Sequence, residues 1–349
     1  MTTPAQPDRD IPAGQEWQVQ RFQPEDAEGL VRLFISVYGR NYPVRTYMEP
    51  QLLIAENAAN RTISSVAKTA TGDIVGHNAL FNSAPHPGIY ESGAGAVHAA
   101  YRGGKGIFTQ IIAHSFDLAY TVPGVDIVFG ETVCNHLYTQ KLTARFFFTS
   151  RALEVDLMPA AAYEKEASST GRVAAFLDFR TYRKKPHRVY LPKIYEEELR
   201  FFYEDLSDER EMLFVEDGVI TGSATDLRTQ VFDFARVARV AIHVAGPDFP
   251  ARLAMLEKEL EEKGILVIQM WLNVAGPWVG GAVEILRQNG YFLGGALPRW
   301  FDTDGLLMQK IRKRPDWEGI CTANDRYKTI LDMVRADWDR SSKEKHNGN

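Results

Sequence analysis

The feature that most constrains the fold of this chain is a turn with three glycines and two cations, Arg102-Gly103-Gly104-Lys105-Gly106. An apolar strand is predicted before the turn, at residues 94–97, and an amphipathic helix after it. The helix is indicated by side chains at helical spacing: Ile107, Phe108, Ile111, Ile112, Ser115, Phe116 and Ala119. A strand, a turn and a helix in this order present backbone amides to an anion, and glycine allows positive φ angles and close approach. We therefore predict a phosphate-binding turn.

Two common nucleotide-binding turns do not fit the residues. A P-loop needs Gly-Lys-Ser/Thr, but Gly106 and Ile107 follow Lys105, so the magnesium-binding hydroxyl is missing. A dinucleotide-binding fingerprint needs an acid at the end of a strand about 20 residues further on. The nearest acids, Asp117 and Asp126, do not end a strand at that distance. A flexible glycine turn without a ligand is the remaining alternative.

The stretch from Val97 to Ile107 resembles the acetyl-CoA-binding motif of the GNAT superfamily of N-acetyltransferases. In that family a strand ends in a Val-x-Pro-x-Tyr-Arg-Gly-x-Gly-Ile turn, and this chain has one residue more in the turn. The resemblance implies an acyl-CoA co-substrate whose pyrophosphate is held by Val97, Arg102, Gly103, Gly104, Lys105, Gly106, Ile107 and Phe108. Asn135 follows the next predicted strand, where an Asn of the family commonly contacts the cofactor.

The predicted order of elements in the first half is also that of this family: strand, two helices, hairpin, strand, glycine turn and helix. The second half, residues 188–312, follows the family by element order only, with a predicted hairpin at Asp217-Gly218. Its counterpart of the glycine turn, residues 243–250, has one glycine, two prolines and Asp248. Prolines remove amide donors and the acid would repel a phosphate, so we expect no CoA in this half.

The fold class predicted from these patterns is mixed α/β (α+β), with two GNAT-like domains. Each would be a mixed, partly antiparallel sheet flanked by helices. A chain of 349 residues suggests about two domains, and the polar, proline-broken stretch 182–187 is the best linker. The prediction is a disordered tail at 1–14, a catalytic domain at 15–182, a degenerate domain at 188–340 and a second tail at 341–349.

Composition disfavours several classes of partner. The formal net charge is −5 with no basic run beyond residues 183–185, so no nucleic acid is expected. No apolar run reaches the roughly 18 residues of a membrane span, and residues 1–14 lack a signal-peptide core. Two cysteines far apart indicate neither a metal site nor a disulfide framework. These patterns predict a cytoplasmic monomer or homodimer that binds no metal and no membrane.

Acyl transfer from a thioester to an amine needs a base, oxyanion stabilisation and an acid for the leaving thiolate. Glu131, at the end of a strand, is the first candidate for the base, although such a carboxylate is often only solvated. His98 is the second, because its pKa suits proton transfer near neutral pH. In the family that this chain resembles, a Tyr that acts as general acid corresponds to position 142, which is Leu here. Tyr138, one helical turn earlier on the same face, is the candidate to take its role. Cys134 is interpreted as a small apolar filler.

The sequence therefore predicts an acyl-CoA-dependent N-acyltransferase, with acetyl-CoA as the expected donor and an amine of a small molecule or peptide as acceptor. Two alternatives stay open. One is a non-catalytic acyl-CoA or metabolite sensor with the same fold, and the other is an aminoacyl-tRNA-dependent transferase of the tandem GNAT type. Several aromatic residues are candidates for lining an acceptor cleft: Tyr42, Tyr47, Tyr90, Trp271 and Trp300.

Overall fold

The computed structural model describes residues 11–40, 42–103, 106–159, 171–206 and 208–347, with side chains up to residue 341. Contacts divide the chain into two compact units. Unit 1 comprises Met1–Ser83 and Tyr90–Val128, and unit 2 comprises Ala84–Ile89 and Phe129–Asn349. No helix in the described ranges is both long and apolar enough to cross a membrane.

Unit 1 holds an antiparallel sheet in the order β1-β2-β3-β4 with three helices. Its elements are β1 (Trp17–Arg21), α1 (Ala27–Tyr38), α2 (Pro50–Ala58), β2 (Thr62–Thr69), β3 (Ile74–Phe81), β4 (Ile89–Val97) and α3 (Ile107–Thr121). This order confirms the prediction for the first half, including the hairpin between β2 and β3. Strand alternation and helical periodicity are local signals, so they survive in the folded chain.

Two apolar clusters cover the sheet of unit 1. Helix α1 buries an apolar stripe in a cluster that includes Leu30, Leu33, Phe34, Leu53 and Val66. Helix α3 contributes Ile107 and Ile111 to another cluster with Ala67, Val75 and Tyr101. Ile11 packs against that second cluster, and the Tyr101 hydroxyl donates to the Pro12 carbonyl at 2.6 Å. Residues 11–14, predicted as part of a disordered tail, are thus held against the turn region.

Unit 2 contains a sheet in the order β5-β7-β6-β13-β14-β12-β11-β10. Its strands are β5 (Ile127–Val133), β6 (Thr149–Pro159), β7 (Arg172–Thr181), β8 (His187–Pro192), β9 (Arg210–Val215), β10 (Asp226–Phe232), β11 (Val237–Val244), β12 (Val267–Asn273), β13 (Phe292–Leu297) and β14 (Gly305–Ile311). Its helices are α4 (Tyr138–Arg145), α5 (Glu196–Tyr203), α6 (Phe249–Glu262), α7 (Val279–Gln288) and α8 (Asp325–Asn347).

Unit 2 repeats one arrangement twice. In β5-α4-β6-β7 the last strand inserts between the other two, and in β12-α7-β13-β14 it does the same. The two copies meet where Gly295 of β13 faces Ala152 of β6. Gly295 has φ +136°, and a Cβ there would come within 2.3 Å of the Arg151 carbonyl oxygen, so only glycine fits this junction.

The contact division does not follow the predicted boundary at 182–188. Strands β6 and β7 share one apolar core with the later strands, in which Leu153, Val155 and Phe176 lie with Ile268 and Leu293. Helix α8 also continues to Asn347, through residues for which a disordered tail was predicted. The core of unit 2 thus extends across the stretch where polar composition suggested a linker.

The predicted hairpin at Asp217-Gly218 is wrong. Strand β9 ends at Val215 and pairs in parallel with β8, and the residues after it form no strand. Their backbone instead packs on α7, where a Cβ at Gly280 would meet the Glu216 carbonyl oxygen at 2.2 Å. A hairpin forms instead between β10 and β11.

Candidate functional site

The glycine turn follows β4 in unit 1 and leads directly into α3. Gly103 and Gly106 both have left-handed φ angles, +82° and +63°, and apart from the adjacent chain residues no atom of the described residues lies within 4 Å of a Cβ placed at either. Gly106 is the N-terminal cap residue of the 15-residue helix α3. Gly104 and Lys105, also predicted to bind the cofactor, lie outside the described residues. The turn therefore combines open space with a helix N-terminus, as an anion site requires.

Apolar residues predicted to bind the cofactor also anchor this turn. Ile107 is buried in the cluster with Tyr101 and Ile111. Phe108 covers Gly95, where a Cβ would approach its ring within 2.7 Å. The Nε of Arg102 donates to the carbonyl of Val97 at 2.9 Å, which closes the turn back on the end of β4. These contacts fix the backbone around the two open glycines.

A β-bulge in β4 was missed by the sequence analysis. Ala94 and Gly95 together lie opposite Asn78 of β3, between the pairs His77–Ala96 and Ala79–Gly93. Ala94 has φ +52°, in the left-handed region. Glycines inside a strand often mark a bulge, so Gly93-Ala94-Gly95 was an available signal. Bulges re-aim a strand beside active sites, and this one lies a few residues before the glycine turn.

Side chains of unit 1 hold the bulge in place. The Tyr38 hydroxyl donates to the Gly95 carbonyl oxygen. The Nδ1 of His77 donates to the Ala94 carbonyl at 2.8 Å, while Nε2 accepts from the Ser64 hydroxyl at 3.1 Å. Burial lowers the pKa of His77 to about 4, so the ring is neutral at pH 7. Both carbonyls of the bulge are therefore fixed by hydrogen bonds.

An aromatic cluster surrounds His77. The rings of Phe34 and Tyr47 stack at 4.5 Å, and those of Tyr38 and Tyr42 at 4.9 Å. Burial, with a smaller effect of Tyr38, raises the pKa of Tyr42 to about 12. Tyr47 is buried, whereas Tyr38 is 45% exposed. Among the tyrosines predicted to line an acceptor cleft, Tyr42 stacks on the partly exposed ring of Tyr38. Tyr38 itself was not among the predicted residues.

Glu131, the predicted base, belongs to a charged network in unit 2. Its Oε1 lies 2.7 Å from Nη2 of Arg239, which also lies 3.3 Å from Glu154 Oε2. The Nε of Arg239 donates to Gln269 Oε1 at 2.9 Å. Burial raises the pKa of the Glu154 carboxyl, and Arg239 opposes that shift. The sequence signal for this network was charge inside three largely apolar strands: Glu131 in β5, Glu154 in β6 and Arg239 in β11.

Aromatic rings flank the network. Arg239 lies over the rings of Phe232 and Trp271, at 5.5 and 5.4 Å from their centroids. Trp271 contacts Trp300 at 5.2 Å, and Trp300 contacts Phe129 at 5.0 Å. Within the described residues, the indole nitrogens of Trp271 and Trp300 have no hydrogen-bond partner. Both tryptophans predicted to line an acceptor cleft, Trp271 and Trp300, therefore lie beside the Glu131 network.

The other predicted residues divide between the units. Asn135 lies between β5 and α4 in unit 2, and Tyr138 begins α4 with 56% of its surface exposed. Leu142, one turn later, is buried. In unit 1, Nδ1 of His98 accepts from the Ala100 amide at 3.4 Å and caps the short 3-10 turn after β4. This cap contact favours a structural role for His98.

Cys134 does not have the surroundings of a nucleophile. It is buried in the large core of unit 2, and burial raises the pKa of its thiol well above the usual value. Within the described residues, no group of three or more His, Cys, Asp or Glu side chains is arranged to hold a metal ion.

The counterpart of the glycine turn in the second half is filled by the chain itself. The carboxylate of Asp248, before α6, accepts from the amide and the hydroxyl of Thr225 at 2.8 and 2.7 Å. The same hydroxyl accepts from the Gly246 amide at 3.0 Å, and a Cβ at Gly246 would lie 2.0 Å from the Ser223 carbonyl oxygen. The chain thus occupies the space before α6.

Comparison with protein-family models and with curated proteins finds no match. Solved structures of acetyltransferases are similar to parts of the chain. The ribosomal-protein-S5-alanine acetyltransferase from Vibrio fischeri is 13% identical with a TM-score of 0.38, covering 50% of this chain and 97% of its own. An N-acetyltransferase from Staphylococcus aureus is 14% identical with a TM-score of 0.38, covering 48% and 99%. The structure of yncA from Salmonella typhimurium with its cofactor acetyl-CoA is 12% identical with a TM-score of 0.37, covering 49% and 96%.

Proposed function

We propose that this protein is an acyl-CoA-dependent N-acyltransferase, with acetyl-CoA as the donor and an amine of a small molecule or peptide as the acceptor. One observation carries the proposal. A bulged strand, β4, leads through two open, left-handed glycines into the N-terminus of α3, in the sequence context that resembles the GNAT motif. The bulge adds a feature that the motif alone did not contain.

The described residues of the turn support a site for the pyrophosphate of CoA. A phosphate can approach Gly103 and Gly106 because, apart from their chain neighbours, no atom of the described residues lies within 4 Å of where a Cβ would be. The amides at the start of α3 and the positive end of its dipole favour a negative charge there. Arg102 is exposed and adds charge beside the turn. The counterpart before α6 fails the same test, since Ser223 and Thr225 fill it.

The proposed chemistry assigns one role to each of two side chains. Glu131 would accept a proton from the acceptor amine, whose nitrogen forms a bond to the acyl carbon as the bond to sulfur breaks. Tyr138 would donate its hydroxyl proton to the departing thiolate. Glu131 has 23% of its side chain exposed, and Tyr138 more than half, so a substrate can reach both. The thioester supplies the acyl group when the co-substrate is bound.

A non-catalytic acyl-CoA sensor is the second candidate. It is favoured by Leu142, which is buried at the position where the family resemblance puts the acidic Tyr. A sensor would bind acyl-CoA without turnover. An aminoacyl-tRNA-dependent transferase is less favoured, because a formal net charge of −5 does not suit a tRNA surface.

Release of free CoA thiol distinguishes the two candidates. The protein is incubated with acetyl-CoA and a panel of amines: polyamines, amino acids, aminosugars and peptides with a free N-terminus. We expect amine-dependent thiol release that Glu131→Gln lowers by about 10²-fold or more, the range for a lost general base. Glu211→Gln, at an exposed residue of β9, should not change the rate. Binding of acetyl-CoA without turnover on any amine would instead support the sensor.

A further inference from the structure

Arg239 joins the later part of the chain to the proposed base. It lies on β11, the counterpart of β4 in the second half, and its guanidinium contacts Glu131 of β5 at 2.7 Å. Its side chain is 14% exposed and that of Glu131 is 23% exposed. An ion pair with this degree of burial is screened by solvent much less than a surface pair. The contact can therefore influence the Glu131 carboxylate.

The network has one cation and two carboxylates. Arg239 from β11 contacts both Glu131 of β5 and Glu154 of β6, and the side chain of Glu154 is 1% exposed. The guanidinium therefore links the two carboxylates and fixes the place of each.

The guanidinium of Arg239 is also held in one orientation. Its Nε donates to Gln269, which lies opposite it in the register of β11 and β12. The rings of Phe232 and Trp271 lie within 5.5 Å of the guanidinium. An arginine held by a hydrogen bond and by ring contacts presents its remaining N–H groups in one geometry. Such an arginine can orient a carboxylate.

We propose that Arg239 is a positioning residue for Glu131: it holds the Glu131 carboxylate in one orientation, so that the second half of the chain supplies part of the reactive site. The inference rests on the proposed function for its catalytic consequence. The orientation of the Glu131 carboxylate can be observed independently of any activity. Through Arg239 the second half of the chain takes part in the reaction, although the space before α6 is filled.

The test observes the orientation of Glu131 directly. Crystal structures of the full chain are compared for the wild type, Arg239→Met and Arg239→Lys. In Arg239→Met the Glu131 side chain should leave the position that it has in the wild type, because its ion-pair partner is gone. Arg239→Lys keeps a charge and should displace it less. Arg228→Met, at an exposed position of the neighbouring strand β10, should not displace it.

Steady-state kinetics provide the second readout. In Arg239→Met kcat should fall by about tenfold or more, because a displaced base is poorly aligned, while the KM for acetyl-CoA changes less than about twofold. Arg239→Lys should retain part of kcat. If Arg239→Met does not fold, Arg239→Gln replaces it with the same expectation. An unchanged Glu131 orientation in the Arg239 variants overturns the inference. A displaced Glu131 in a protein whose wild type acylates no amine supports the orienting role and overturns the proposed function instead.

Discussion

Nη2 of Arg239 lies 2.7 Å from Oε1 of Glu131, although 108 positions separate the two residues in sequence. The contact lies within unit 2, where β11 and β5 belong to the same sheet. Glu131, which the sequence placed at the end of a strand, is therefore part of a network that also contains Glu154 and Gln269. The same network lies beside Trp271 and Trp300.

Replacing Tyr138 with Phe tests the proposed acid. The hydroxyl is on an exposed residue, so its removal should leave the unfolding free energy within about 0.5 kcal/mol of wild type. If the hydroxyl protonates the thiolate, kcat should fall by about 10²-fold while the KM for acetyl-CoA changes little. Steady-state kinetics and urea unfolding measure the two effects. An unchanged kcat would remove Tyr138 from the reaction.

Tyr38→Phe tests the anchor of the β4 bulge. The variant loses the hydrogen bond to the Gly95 carbonyl but keeps the ring contacts with Phe34 and Tyr42. We expect a loss of about 1 kcal/mol in unfolding free energy. Tyr138→Phe is the matched control, since it removes a hydroxyl from another tyrosine that is about half exposed. Equal stability of the two variants would contradict a structural role for the Tyr38 hydroxyl.

His77 predicts a stability that depends on pH. Its pKa is about 4 in the folded protein and 6.5 when unperturbed, because burial disfavours the charged ring. Between these values the unfolded chain binds a proton that the folded chain does not. Stability is therefore complete above about pH 6.5 and is lost as the pH falls towards 4, by up to about 3 kcal/mol.

Comparison with His77→Gln isolates this contribution. Urea unfolding of both proteins between pH 7 and 4 measures the difference in their unfolding free energies. We expect the unfolding free energy of the wild type to fall relative to that of His77→Gln as the pH falls. The effects of the other titratable groups cancel because both proteins contain them. A difference that stays constant over this range would show that His77 titrates normally in the folded chain.

Gly295→Ala tests the junction of β6 and β13. The added methyl group would meet the Arg151 carbonyl and the backbone of Ala152, on top of an unfavourable positive φ. Gly222→Ala is a control with a φ of +110°, and apart from its chain neighbours no atom of the described residues lies within 4 Å of its Cβ position. We expect the control to lose about 1 kcal/mol from strain and Gly295→Ala to lose at least about 2 kcal/mol more. Equal losses, measured by urea unfolding, would mean that the strands can separate at this point without cost.

The parts of the fold that the sequence predicted are those with local signals. Gly103 and Gly106 were recognised because a tight turn before a helix needs residues that adopt positive φ. Helices α1 and α3 were found from their apolar spacing. The Asp217-Gly218 turn signal failed because packing of that backbone on Gly280 and Gly281 of α7 replaced strand pairing.

The charged network could not be predicted in the same way. Glu131, Glu154 and Arg239 come from three strands whose neighbours are decided by the sheet order of the whole unit. A single sequence shows that each is a charge in an apolar strand, but it does not show which charges meet. The bulge of β4 was partly predictable. The sequence shows its glycines, but it does not show that Ala94 and Gly95 lie opposite Asn78.

Titration of the protein with acetyl-CoA in a calorimeter, with Gly106→Asp and Gly106→Asn beside the wild type, tests the central claim most directly. Apart from its chain neighbours, no atom of the described residues lies within 4 Å of the position that a Cβ of residue 106 would take, and the two side chains are similar in size and differ by one charge. We predict that the wild type binds acetyl-CoA, that Asn weakens binding, and that Asp weakens it at least about tenfold further by repelling the pyrophosphate. Equal affinity of the Asp and Asn variants, or no binding to the wild type, would contradict a phosphate site at this turn.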